Sequence, residues 1–202
     1  KNIVKEVSCK SPVTYKGGKK RIVLIDCGVK AGIIRKLLDI GLTVVRVPWD
    51  YNPVKEGIKF DAVVISNGPG DPKKVKKTIS IVKEVIANKT PTLGICYGNQ
   101  ILALAAGGKT YKLKFGHRSQ NQPCLQVGTQ RAFITSQNHG FAVKFSSLPR
   151  GWKEWFVNLN DKTNEGIIHK RKPFGSVQFH PEASPGPTDT KFIFDEFLTW
   201  LD

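Results

Sequence analysis

Thr92-Leu93-Gly94-Ile95-Cys96-Tyr97-Gly98-Asn99-Gln100 is an apolar run, a cysteine between two glycines, and the start of a second apolar stretch that reaches Ala106. Thr92 to Ile95 shows no alternation of polar and apolar residues, the pattern of a strand buried on both faces. Gln100 to Ala106 reads as a strongly apolar helix. A buried strand that turns at once into a helix belongs to a parallel sheet with helical crossovers.

The same unit recurs upstream. Ile22-Val23-Leu24-Ile25, Thr43-Val44-Val45 and Ala62-Val63-Val64-Ile65 are further runs of strand length. Ile33, Ile34, Leu37 and Leu38 fall at helical spacing before Gly41, and Val75, Ile79, Val82 and Ile86 mark one face of another helix. The second half differs. Ala132-Phe133-Ile134, Phe141-Ala142-Val143, Phe156-Val157, Gly166-Ile167-Ile168 and Ser176-Val177-Gln178-Phe179 are short strand-like runs with no helical pattern between them. A last helix is expected over 188–201, capped by Thr188 or Asp189. The expected fold is α/β and flavodoxin-like: a mostly parallel central sheet with helices on both faces, plus a small antiparallel extension in the C-terminal half. Residues 1–20 are polar and basic and read as a linker or arm; 21–202 read as one domain.

With 202 residues, 40% of them hydrophobic, the chain can fill a sizeable core. It carries no methionine and is expected to be a processed product or a piece of a longer polypeptide. No run approaches the roughly 20 apolar residues of a membrane span. Cys9, Cys27, Cys96 and Cys124 contain no C-x-x-C pair, which argues against zinc and for free thiols in the cytoplasm. The net charge of +16 admits nucleic-acid binding. The basic clusters are scattered and mostly lack interleaved aromatics, which favours a solvated surface or a docking face for an acidic partner.

Cys96 would stand at the carboxyl end of its strand, where sites gather in open α/β sheets. Flanking glycines permit a sharp strand-to-helix turn that lifts a nucleophile above the sheet, the logic of the serine elbow in hydrolases. The helix N-terminus favours a thiolate, and the Tyr97 N–H points to where an oxyanion would form. The spacing alone supports a reactive thiol and a buried structural cysteine about equally. A nucleophile needs a base and the base an orienting group. His180 lies in Gln178-Phe179-His180-Pro181-Glu182, and in an extended segment Glu182 would share its face. His117, His139 and His169 have no such carboxylate two residues away and read as structural or surface residues, His139 being the most open case. The turn Asn67-Gly68-Pro69-Gly70-Asp71-Pro72 follows the third strand at the same edge, where its backbone could approach a ligand.

With these residues assembled, the chain resembles the class I (triad) glutamine amidotransferases. Gly94-Ile95-Cys96-Tyr97-Gly98-Asn99-Gln100 is similar to their nucleophile elbow and His180-Pro181-Glu182 to their histidine–glutamate pair. Within that class it is most similar to the glutaminase domain of carbamoyl-phosphate synthetase small subunits. The discriminating stretches are Lys114 to Pro123, Ile134 to Val143, Asn158 to Gly166 and His180 to Thr190. The resemblance implies hydrolysis of the glutamine amide: Cys96 as nucleophile, His180 as base and acid, Glu182 orienting it, and the Tyr97 and Gly68 N–H groups as oxyanion donors. It also implies a glutamine pocket lined by Gly70, Gln100, Asn138, Gly140 and Phe141, and that the arm over residues 1–20 is left from an N-terminal domain. Ammonia would pass to a large synthetase subunit, which alone would use ATP and magnesium; this chain would hold no cofactor and no metal. Tyr97 stands where the family has an aliphatic residue, but only its backbone is invoked. The alternatives are the glutaminase of another amidotransferase, a cysteine hydrolase of similar fold, and a basic nucleic-acid-binding module without activity.

Overall fold

In a computed structural model, residues 1–183 and 185–201 are described. Ser184, within the discriminating His180 to Thr190 stretch, and Asp202, at the end of the expected domain, lie outside the described residues. Among the described residues ten strands make one sheet: β1 (Val13–Tyr15), β2 (Arg21–Asp26), β3 (Thr43–Pro48), β4 (Ala62–Ile65), β5 (Thr92–Ile95), β6 (Lys109–Gln126), β7 (Ala132–Lys144), β8 (Trp152–Asn158), β9 (Asn164–His169) and β10 (Phe174–Val177). The helices among the described residues are α1 (Val4–Val7), α2 (Ala31–Asp39), α3 (Lys76–Ala87), α4 (Tyr97–Ala105) and α5 (Phe192–Thr199). The strand order is β1-β3-β2-β4-β5-β10-β9-β8-β6-β7.

The pairs from β3 through β2, β4 and β5 to β10 are parallel. Every residue of β4 and β5 is buried, as continuous apolar runs require. Successive side chains leave a strand on opposite faces, and the core divides accordingly. Val23, Ile25, Val63 and Ile65 pack with Val82 and Val85 of α3 and Ile101 and Leu102 of α4. Ile22, Leu24, Val64 and Leu93 pack on the other face with Ile33 and Leu37 of α2 and Phe194 and Phe197 of α5. Each such fully buried side chain contributes about 1.5–3 kcal/mol.

The antiparallel part is larger than expected. β9, β8, β6 and β7 extend the sheet beyond β10. The runs at Ala132 and Phe141 belong to one strand, β7, and its partner β6 has no counterpart in the pattern of the sequence. Most of β6 is exposed or half-buried and rich in Lys and Gln, so it carries neither the unbroken apolar run nor the clean alternation that marks a strand. Residues 1–20 are not a detached arm. β1 pairs antiparallel with β3, Val4 is buried, and the Cys9 N–H donates to Asp26 Oδ2 at 2.7 Å. Edge strands tend to be short and polar, which makes this one read as linker. The last helix is shorter than 188–201, and its N-cap is Lys191, without a side-chain cap. Asp189 instead accepts from the Ile134 N–H at 3.4 Å.

Candidate active site

The parallel register brings three strand ends together. Ile65 of β4 lies beside Gly94 of β5, and Gly94 beside Ser176 of β10. The segments that follow hold Gly68, Cys96 and His180. All three line one cavity of about 570 Å³, with Gly70, Tyr97, Gln100, Asn138, Gly140 and Phe141. Glu182 stands behind His180 and does not line the cavity. The site residues expected from the sequence thus come together at one edge.

Cys96 is the N-cap of α4, at φ 55° and ψ −100°. A non-glycine residue held there stores about 1–3 kcal/mol, compensated by its surroundings. Those surroundings explain both glycines of the elbow. A Cβ on Gly98 would lie 2.2 Å from the Ile65 carbonyl oxygen, and one on Gly94 would lie 2.5 Å from the Gly98 carbonyl oxygen. Only bare backbone lets the turn pack onto β4. The Cys96 N–H donates to the Val177 carbonyl at 2.8 Å, fixing the turn from the other side. The Tyr97 N–H, in the first turn of α4, is among those a helix does not use itself. Tyr97 Oη donates to the Asp71 carbonyl at 3.2 Å, tying the elbow to the Asn67–Asp71 loop.

His180 Nδ1 lies 2.7 Å from Glu182 Oε1, and both side chains are buried. The contact forms by a route other than the expected extended one. His180 to Ala183 make a tight turn with Pro181 at its second position, closed by the Ala183 N–H on the His180 carbonyl at 3.3 Å. Burial opposes a charge on His180, but hydrogen bonding and attraction from the Cys96 sulfur and Glu182 outweigh it and lift the ring to about 10. Burial likewise works to raise Glu182, and His180, with Lys30 at 3.6 Å, overcomes it and holds the carboxylate low. Both the sulfur and the carboxylate favour the charged form of the imidazole. Burial pushes the thiols away from the cavity up: Cys27 and Cys124 strongly, and Cys9 to about 11.

Several neighbours carry no local signal in the sequence. Gln178 donates to the Cys96 carbonyl at 3.2 Å and approaches its sulfur at 3.8 Å. It also accepts from Asn99 and Gln100, each at 3.1 Å. Its one clue is its place in Gln178-Phe179-His180, two residues before the base. His117 and His139, read as structural or surface residues, are both buried, and His139 also lines the cavity. His117 Nδ1 lies 3.1 Å from Glu165 Oε1 and Nε2 lies 2.8 Å from Asp161 Oδ2. The Glu165 hydrogen bond, against burial and with help from Asp161, lifts His117 to about 9. Burial holds His139 down to about 4. Ligand atoms of His117, His139 and Glu165 lie within 4.8 Å of one another, the spacing of a cation site. The Gln137 amide oxygen lies 2.9 Å from a nitrogen of each ring and can accept from either where that nitrogen carries a proton.

Residues 23–200 match the model of the family described as glutamine amidotransferase class-I. The chain is 53% identical over 205 residues to a carbamoyl phosphate synthase small chain of Methanocaldococcus jannaschii, covering all of this chain and 57% of that one. It is 53% identical over 201 residues to the multifunctional protein CAD of Squalus acanthias, covering 98% of this chain and 9% of that one. The chain thus spans only part of the curated relatives it matches. The crystal structure of a putative GMP synthase protein from Thermoplasma acidophilum superposes with a TM-score of 0.75 at 23% identity, covering 92% of this chain and 94% of that one. That likeness places the fold among α/β neighbours. The match over residues 23–200, the two relatives and the shared fold lead to one statement: the chain belongs to the class-I glutamine amidotransferases.

Proposed function

We propose that this chain hydrolyses the side-chain amide of L-glutamine through a thioester on Cys96 and hands the ammonia to a carbamoyl-phosphate synthetase large subunit. The observation that carries the reading is that Cys96 and His180 line one cavity, with Glu182 Oε1 2.7 Å from His180 Nδ1 behind it. The Cys96 thiolate attacks the amide carbon. The oxygen takes the negative charge and is held by the Tyr97 and Gly68 N–H groups, each worth roughly 2.7–4 kcal/mol of barrier. Collapse breaks the C–N bond as His180 gives its proton to the leaving nitrogen. The imidazole then takes a proton from water, which attacks the thioester and releases glutamate and the thiol. Gly70, Gln100, Asn138, Gly140 and Phe141 hold the substrate, whose carboxylate and ammonium suit amides and backbone groups at fixed positions.

The steps in this chain ask for no cofactor and no metal. ATP and magnesium belong to the synthetase partner, and the carbamoyl phosphate made there serves pyrimidine and arginine synthesis. The name of the Methanocaldococcus jannaschii relative, a carbamoyl phosphate synthase small chain, supports the assignment to such a synthase. Nothing in the pocket calls for nucleic acid, and no helix among the described residues is long and apolar enough to cross a membrane. Four free cysteines accord with a cytoplasmic setting. The test is glutamate release from glutamine by the chain, alone and with the large subunit, against Cys96→Ser as blank. Release above the blank is expected; none in either case would overturn the reading.

A further inference from the structure

Three of the stretches that set this chain apart by sequence meet away from the triad. Lys114 to Pro123 supplies His117, Ile134 to Val143 supplies Gln137 and His139, and Asn158 to Gly166 supplies Glu165 and Asp161. They lie on β6, β7 and β9 and on the turn between β8 and β9. The Glu165 side chain is fully buried, and His117, Gln137 and His139 are buried around it. A buried ionic cluster is weak support for stability, because desolvation offsets attraction. Its geometry indicates another use.

From Glu165 the contacts form a chain to the substrate cavity. Glu165 Oε1 and Asp161 Oδ2 fix the two nitrogens of His117 at 3.1 and 2.8 Å. His117 Nδ1 lies 2.9 Å from Gln137 Oε1, which lies 2.9 Å from His139 Nε2. The two rings meet edge to face, with centroids 4.8 Å apart. The far nitrogen of His139, Nδ1, lies 2.8 Å from the Phe141 carbonyl; this carbonyl and the Gln137 amide oxygen both only accept, so the single proton of the neutral ring serves one of the two contacts at a time. The same carbonyl accepts from Gln100 Nε2 at 2.8 Å. Phe141 and Gln100 both line the cavity, one on β7 and one on α4. The bonds to this carbonyl join the two walls.

We propose that Glu165 and His117 are positioning residues for the glutamine pocket, holding the His139 ring through Gln137 so that the Phe141 carbonyl and the Gln100 amide keep the spacing the substrate needs. The inference rests on the reading of this cavity as the glutamine site. It places the effect on substrate binding, because neither residue lines the cavity and their side-chain hydrogen bonds run to each other and to Asp161, Gln137, Asn158 and Thr163.

The test compares Glu165→Ala with Glu165→Gln, whose amide oxygen can still accept from His117. Two thiol reagents separate positioning from collapse: 6-diazo-5-oxo-L-norleucine, a glutamine-shaped electrophile, and iodoacetamide, which needs no pocket. Glu165→Ala is expected to raise the KM for glutamine roughly tenfold, the loss of about one buried hydrogen bond, with kcat within about threefold. The same variant should slow Cys96 labelling by the analogue about tenfold and leave labelling by iodoacetamide nearly unchanged. Glu165→Gln should recover most of both. An unchanged KM and analogue rate in Glu165→Ala would overturn the proposal. So would equal slowing of both reagents together with a lowered Tm, which marks a merely structural role. If the wild-type chain shows no saturable labelling by the analogue, the glutamine reading itself falls and takes this inference with it.

Discussion

The molecule holds two buried histidine–glutamate pairs, one with its histidine on the cavity and one behind the cavity's His139. In the parallel half, His180 lies 2.7 Å from Glu182; in the antiparallel half, His117 lies 3.1 Å from Glu165. Both imidazoles are raised, to about 10 and about 9. The carboxylates part company. Burial works to raise both, and His180 and Lys30 reverse it at Glu182, whereas at Glu165 burial prevails over His117. The third group differs too: His180 has the Cys96 sulfur as its other partner, His117 the Asp161 carboxylate. An imidazolium between two carboxylates has nothing to activate. One that reaches a sulfur at a strained elbow does. The residue pair is common to both; chemistry follows from what stands on the imidazole's other nitrogen and whether that group faces the cavity.

The largest effects should come from breaking the reactive pair. Cys96→Ser and His180→Gln are each expected to lower kcat for glutamate release by roughly 10⁴-fold or more, because members of such a unit fail together. Combining them should cost little beyond either alone, and additive losses would show that the two act separately. Glu182→Gln leaves sulfur and imidazole in place and should lower kcat by about 10²-fold, while analogue labelling of Cys96 remains detectable. Undiminished turnover would remove Glu182 from the mechanism.

An intermediate effect sharpens the comparison through pH. An unfolded histidine titrates near about 6.5. A raised folded value means a stabilising contribution that is complete below about 6.5 and is lost as the pH rises through the folded value. For His117 that window closes at about 9, and for His180 at about 10. The Tm difference between wild type and His117→Gln should therefore shrink between about pH 6.5 and 9, and that for His180→Gln should go on shrinking to about pH 10. Parallel melting curves across this range would mean that neither ring carries its charge in the folded chain.

The two halves were not equally legible. In the parallel half β4 and β5 are continuous buried runs, and the elbow glycines are forced because an added Cβ would lie 2.2 or 2.5 Å from a backbone oxygen. Residue type and spacing there follow from packing, so the strand ends that carry the chemistry could be read directly. His180 and Glu182 were paired on an extended segment, and a turn at Pro181 delivers the same contact. β6 was not legible, because its 18 residues are mostly exposed or half-buried and their pairing partners lie in β7. The importance of His117 and His139 was hidden for the same reason: their carboxylate, Glu165, is 48 residues from His117 and comes near only through the β6–β7–β8–β9 arrangement. Local spacing finds a pair two residues apart and cannot find one assembled by a sheet.

The smallest effects separate the two remaining buried thiols, one from each half. Cys124 Sγ accepts from Gln137 Nε2 at 3.3 Å and lies 3.6 Å from Thr135 Oγ1. The Cys27 thiol makes no side-chain hydrogen bond among the described residues and packs in the apolar face of the sheet with Val23 and Ile25. A serine hydroxyl at 124 finds partners waiting; at 27 it is buried without one, which costs about 1–3 kcal/mol. Cys27→Ser should thus lower Tm by several degrees while kcat and KM stay within about twofold, since the thiol is fully buried and held in its neutral form. Cys124→Ser should shift Tm less. A large activity loss in Cys27→Ser would reopen the choice of nucleophile. A larger Tm loss at 124 than at 27 would mean that the polar network in the antiparallel half tolerates exchange of sulfur for oxygen less well than an apolar core does.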